Sequence, residues 1–187
     1  MMKNRKTPLF TILVLGLLTC FLMGEELDDA GAPRFSLDSI LDVVIFQDRN
    51  YGTGHYKAAL VREEDEISLY LQLSEEKWQR FPDIADGGAM EEWPTLSLNE
   101  AGSLLIDSSH DAIGRAAWRK RLVIAYRQNE FIVAGYECSS YDKLAREPDV
   151  HFEVNYLTGK MILNKGVTNG PPAIIPLSEW KEPDGYP

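Results

Sequence analysis

Cysteine is nearly absent from this chain: 187 residues hold two, Cys20 and Cys138. Cys20 lies in an apolar stretch near the start, so a chain that loses that stretch keeps one thiol and can form no internal disulfide. Stability then has to come from a hydrophobic core, and about 160 residues are enough for one domain to build it. Histidine is scarce too, and His55, His110 and His151 show none of the spacings of a zinc site. No Gly-x-Ser-x-Gly elbow, phosphate loop or His-Glu-x-x-His occurs, so neither a metal nor a cofactor is expected and no catalytic residue is assigned. No repeat of fixed period is found. Long hydrophobic runs are missing as well. The apolar stretch at residues 10–23 is about 14 residues long, which at about 1.5 Å of helical rise per residue falls short of a bilayer.

What is there begins with the order of charge and apolarity at the N-terminus. Lys3, Arg5 and Lys6 precede the apolar stretch, and the first acid is Glu25. That order reads as a secretory signal, with residues 1–24 removed after the small Gly24. An uncleaved anchor is the first alternative. Leu17-Leu18-Thr19-Cys20 offers a second, a lipid-bearing cysteine, although Thr19 stands where such sites carry Gly, Ala or Ser. The expected location is periplasmic or secreted, with no membrane insertion after the cut. Loss of residues 1–24 leaves 16 basic against 29 acidic residues, a net charge of −13. Such a surface repels nucleic acid and anionic lipid and favours a basic protein partner.

Residues 25–34 carry Glu25, Glu26, Asp28 and Asp29 and little that could pack, so they read as a flexible acidic linker. From Phe35 the pattern turns to structure. Ser36, Leu37, Ile40 and Leu41 have the spacing of a short capped helix, while 41–46 is a strand by its β-branched content. Residues 56–62 and 67–73 read as a hairpin with the acidic tip Glu63-Glu64-Asp65-Glu66, because Ile67, Leu69, Leu71 and Leu73 alternate with Ser68, Tyr70 and Gln72. A short helix is expected over 74–81 and an irregular excursion over 82–94. Strands follow at 103–107, 121–127, 130–137, 151–156 and 160–165, with one helical turn at 141–146. Gln128-Asn129 and Leu157-Thr158-Gly159 supply tight reversals. The prolines from Pro171 onward make 171–187 an extended tail that lies over the domain or hangs free. The sum is a mainly β fold of antiparallel sheets, sandwich-like or open and blade-like, with a few short helices and one domain over 35–170.

Ile113-Gly114-Arg115, Trp118, the runs 122–127 and 131–136, Tyr141-Asp142 and Val154-Asn155-Tyr156-Leu157-Thr158-Gly159-Lys160 together resemble a family of uncharacterised secreted proteins of Gram-negative bacteria. The resemblance spans about half of the residues beyond the signal. It implies export and a β fold, and brings no catalytic residues. Residues 38–45 resemble the end of an integrin-type repeat, but Asp38 and Asp42 lack the glycine-punctuated oxygen ligands of a calcium loop, so calcium is not expected.

Chemistry-bearing groups are few. Asp107-Ser108-Ser109-His110-Asp111 crowds a nucleophile, a base and an acid into one segment, whereas working triads are assembled from distant ones, so it reads as a turn. The acidic tip, Glu63, Glu64, Asp65 and Glu66, is either a solvated turn or a contact for a basic partner. Tyr51, Trp78 and Trp93, with Phe81 and Trp180, lie outside obvious strand cores, where aromatics serve as interface anchors or cap sheet ends. The candidate partner-binding set is therefore Tyr51, Glu63, Glu64, Asp65, Glu66, Trp78 and Trp93. The function expected is a non-enzymatic, exported interaction protein of the cell envelope, such as an inhibitor of a lysozyme-like enzyme or an immunity protein. A hydrolase built on Asp107 and His110 and a structural envelope role are the alternatives.

Overall fold

Alternation of apolar and polar side chains commits the middle of the chain to strands, because successive residues of a strand face opposite sides of the sheet. The computed structural model describes residues 35–47, 55–74, 77–88, 92–111, 114–145 and 150–183. Among them are twelve strands and two single 3-10 turns. β1 (Ile40–Gln47), β2 (His55–Glu63), β3 (Glu66–Ser74) and β4 (Lys77–Phe81) form a four-stranded antiparallel meander in that order. The larger sheet takes β5 (Thr95–Leu98), β6 (Leu104–His110), β7 (Ala116–Arg127), β8 (Glu130–Asp142), β9 (Val150–Asn155), β10 (Lys160–Leu163) and β11 (Gly166–Asn169) in chain order, and β12 (Ile175–Pro176) pairs with β8.

The two sheets share one core. Leu60 stands opposite Leu69, and Ala58 opposite Leu71, on the smaller sheet. Ile106, Leu122 and Tyr136 form a cross-strand row on the larger one, and all of these belong to a single apolar cluster. Burying each such leucine stabilises the fold by roughly 1.5–3 kcal/mol. Along one side the sheets are joined through Asp42, which sits at a register shift in β1. Its carboxylate accepts from Val43 N–H at 2.8 Å and from Leu96 N–H of β5 at 2.7 Å.

Turn chemistry sets the reversals. Gln128 and Asn129 have φ of 53° and 66°, the paired positive values of a type I′ turn whose twist matches the strands it joins. Gly159 (φ +73°) closes the β9–β10 reversal against the Gly170 backbone, which leaves no room for a Cβ.

The proline-rich tail lies on the domain over its described length. β12 covers Ile132 and Val133 of β8. Leu177 enters the core, and Trp180 packs on Tyr136 and Tyr156 at centroid distances of 5.4 and 6.0 Å.

Three local expectations are corrected. Residues 77–81 are the strand β4, not a helix, because pairing with β3 from Leu69–Phe81 to Ser74–Lys77 satisfies the backbone of both segments. Tyr141 and Asp142 end β8, and Ala145 N–H closes a turn on the Asp142 carbonyl at 2.8 Å where a helical turn is expected. Near the start, the capped helix shrinks to a 3-10 turn (Leu37–Ser39) running straight into β1. The export segment with Cys20, the linker 25–34 and Tyr51 lie outside the described residues. Among the described residues no helix is long and apolar enough to cross a membrane.

Candidate protein-interaction site

The β2–β3 register sets Glu63 directly opposite Glu66, and two like charges in that relation repel. Arg80, arriving from β4 on the same outer face, resolves the conflict. Its Nε donates to Glu63 Oε2 at 2.8 Å, and its Nη2 pairs with both Glu63 and Glu66. Ser68 Oγ and Tyr70 OH donate to the two oxygens of Glu63, each at 2.5 Å. Burial works to raise the Glu63 pKa, but the donors Ser68, Tyr70 and Arg80 and the guanidinium charge outweigh it, so the carboxyl titrates below its ordinary value. Tyr70 moves the other way, pushed up to about 12 by burial and by its bond to Glu63.

Half of the acidic tip is thus tied into the sheet. Glu64 and Asp65 remain exposed at the turn itself. Ile84 N–H donates to the Ile67 carbonyl at 3.0 Å, which brings the exposed Asp83 to the same end. Of the carboxylates gathered there, 63 and 66 are met by Arg80, while Arg62 lies over the Trp93 ring at 4.8 Å.

The predicted aromatics separate. Trp78 packs with Phe35, Val43, Ala59, Val61 and Tyr70 on the outer face of the smaller sheet, the face that carries Arg80 and Glu63. Trp93 turns the other way, packing against the core beneath Arg62. Phe81 is buried, and Trp180 belongs to the tail. The structure therefore brings Glu63, Glu64, Asp65, Glu66 and Trp78 to one sheet and leaves Trp93 behind it.

Beside β4 lies a groove of about 450 Å³ that sequence reading missed. Lys77, Gln79 and Phe81 form one wall, Gln128, Asn129 and Glu130 the other, and Ser178 of the tail closes an end. Tyr126 and Phe131 make the floor, 4.8 Å apart between ring centroids and backed by Tyr56 and Phe46. The groove exists because the smaller sheet stops at β4 while the larger sheet continues beneath it. Among the described residues no strand pairs with the outer edge of β4. The only trace in the sequence is the polar pair Lys77 and Gln79, which shares a strand face with the buried Phe81.

Elsewhere, Lys120 Nζ meets Asp86 at 2.7 Å and Glu182 at 2.8 Å, and Tyr136 OH donates to Glu182 at 2.7 Å. Burial opposes the Lys120 charge, but both carboxylates hold its pKa above the ordinary value. The same network, with burial first, raises Tyr136. Cys138 is fully buried and its thiol is pushed up by burial. Strand alternation along β6 splays the Asp107-Ser108-Ser109-His110 segment: Asp107 pairs with Arg121 on the outer face, while His110 stacks on Trp118. Asp107 and His110 thus lie on opposite faces of β6, which is strand where the sequence pattern reads as a turn. Among the described residues no three His, Cys, Asp or Glu side chains group as metal ligands.

Comparison of the chain with protein-family models, with curated proteins and with solved structures gives no match.

Proposed function

We propose that this protein is an exported binding protein of the cell envelope that engages a basic protein through the acidic end of its smaller sheet. The observation that carries the reading is the β2–β3 tip, where Arg80, Ser68 and Tyr70 hold Glu63 and Glu66 in place and leave Glu64 and Asp65 projecting. The anchored turn presents these two charges from a defined place, and their field steers a basic partner by long-range attraction. Support also comes from the secretory order of the N-terminus, the net −13 beyond it, and the resemblance to secreted proteins of Gram-negative bacteria. An inhibitor of a cell-wall-degrading enzyme and an immunity protein both fit the description.

The test is a capture of partners from the periplasmic fraction of the host, eluted with a salt step and read by mass spectrometry. A basic protein released by salt is expected. Neutralising the projecting groups together, Glu64→Gln, Asp65→Asn and Asp83→Asn, should weaken that capture about tenfold or more at low salt and much less at high salt. Capture that ignores both salt and the triple substitution would remove the electrostatic basis of the proposal.

A further inference from the structure

The edge strand β4 runs between two unlike ends. At Arg80 and Phe81 it meets the carboxylates of the β2–β3 turn and Asp83, and at its start it carries the exposed Lys77. Its inner side chains Lys77 and Gln79 look into the groove over Tyr126 and Phe131. That groove lies where the next strand of the smaller sheet would run. A strand sits about 4.8 Å from its neighbour and packs about 10 Å above a facing sheet, which is the place bounded here by β4 on one side and Tyr126 and Phe131 below. An edge strand also presents a row of backbone N–H and C=O groups that another extended chain can pair with.

We infer that the edge of β4 accepts an extended segment of a basic partner protein as a fifth strand of the smaller sheet, its inward apolar side chains resting on Tyr126 and Phe131. The inference rests on the binding function proposed above and names the element that does the binding. Main-chain pairing supplies affinity in such strand addition, and alternate side chains supply specificity. Charge selects the occupant. A second processed copy, residues 25–187, would bring its own net −13 to the edge and be repelled, whereas a basic segment is attracted to the carboxylates at the Phe81 end. Its cationic residues therefore lie at that end and its apolar residues over the aromatic floor.

Hydrogen exchange and peptide binding test the inference on the processed protein purified after export. The probe is a capped nine-residue peptide of alternating Val and Lys, with two controls: the same peptide N-methylated along one backbone edge, and a Val/Glu version. The Val/Lys probe is expected to slow amide exchange at residues 77–81 at least tenfold, and the N-methylated control to bind at least tenfold more weakly. The slot-filling variant Gln79→Trp, shown folded by its unchanged cooperative melt, should lose the same factor. If both basic peptides bind alike and 77–81 exchange freely, strand addition is wrong while charge-driven binding stands. Protection at 77–81 that grows with protein concentration alone would point to a second copy and overturn the inference. So would tight binding of the Val/Glu peptide, or a failure of every peptide to bind. An empty periplasmic capture, in contrast, sinks the binding function itself.

Discussion

Arg80 is the residue on which the acidic tip depends. Without it Glu63 and Glu66 would face each other across a strand pair with only Ser68 and Tyr70 to answer Glu63. The guanidinium is 43% exposed, so solvent screens much of the attraction, and Arg80→Met is expected to cost about 1 kcal/mol at neutral pH. The pH dependence has a definite sign. Glu63 titrates below its ordinary 4.5 in the folded protein, so its contribution is complete above that value and disappears as pH falls through the lowered one. The difference in melting temperature between the parent protein and Arg80→Met should therefore be full at pH 7 and close in acid. A gap that stays constant down to pH 3 would show that Arg80 acts through packing, not charge.

At the scale of elements, turns and edges behave differently. The β7–β8 turn places Gln128 at positive φ, where a side chain with a Cβ is mildly strained and Asn and Gly are preferred. Gln128→Asn with Asn129→Gly should stabilise the hairpin by about 0.5–1 kcal/mol, read from urea midpoints at unchanged slope. A destabilised double variant would show that the packing of the longer Gln128 side chain, which lines the groove, outweighs the strain of its positive φ.

The same contrast explains which elements were legible. The β2–β3 hairpin was readable because Ile67, Leu69 and Leu71 repeat with period two and face one core. β4 was not. Its apolar residues Trp78 and Phe81 are three apart, a helical spacing, and they fall on opposite faces of the strand. β3 overrides that local signal by offering a full ladder of partners. β5 and β11 escaped notice because β5 buries only Leu96 and β11 is exposed throughout. No local pattern marks a strand that covers nothing. The groove was out of reach for another reason: its parts come from β4, from the β7–β8 hairpin and from Ser178, segments that share no motif.

For the molecule as a whole, the Lys120 cluster is the junction. Asp86 belongs to the excursion between β4 and β5, Glu182 to the tail, and both converge on one lysine of β7. Lys120→Met should loosen both segments together, at a cost of about 1–2 kcal/mol once the partial exposure of the two carboxylates is allowed for. Lys120 and Tyr136 both have folded pKa values above their ordinary ones. Their stabilisation is complete below about pH 10 and is lost as pH rises through the folded values. A melting curve series from pH 8 to 11 should show an alkaline fall in the parent protein that is shallower in Lys120→Met. Equal slopes would mean that the cluster adds nothing to global stability.

Local chemistry was enough for the β class, the acidic hairpin and its tip, and the tight turn at Gln128-Asn129, since each depends on residues within one or two turns of chain. Long-range pairing decided the rest. Whether 77–81 became strand or helix, whether the proline-rich tail packed or hung free, which carboxylates Arg80 would neutralise and where a groove would open all depend on partners far away in the chain. Those partners meet only when two sheets of unequal width close over one core.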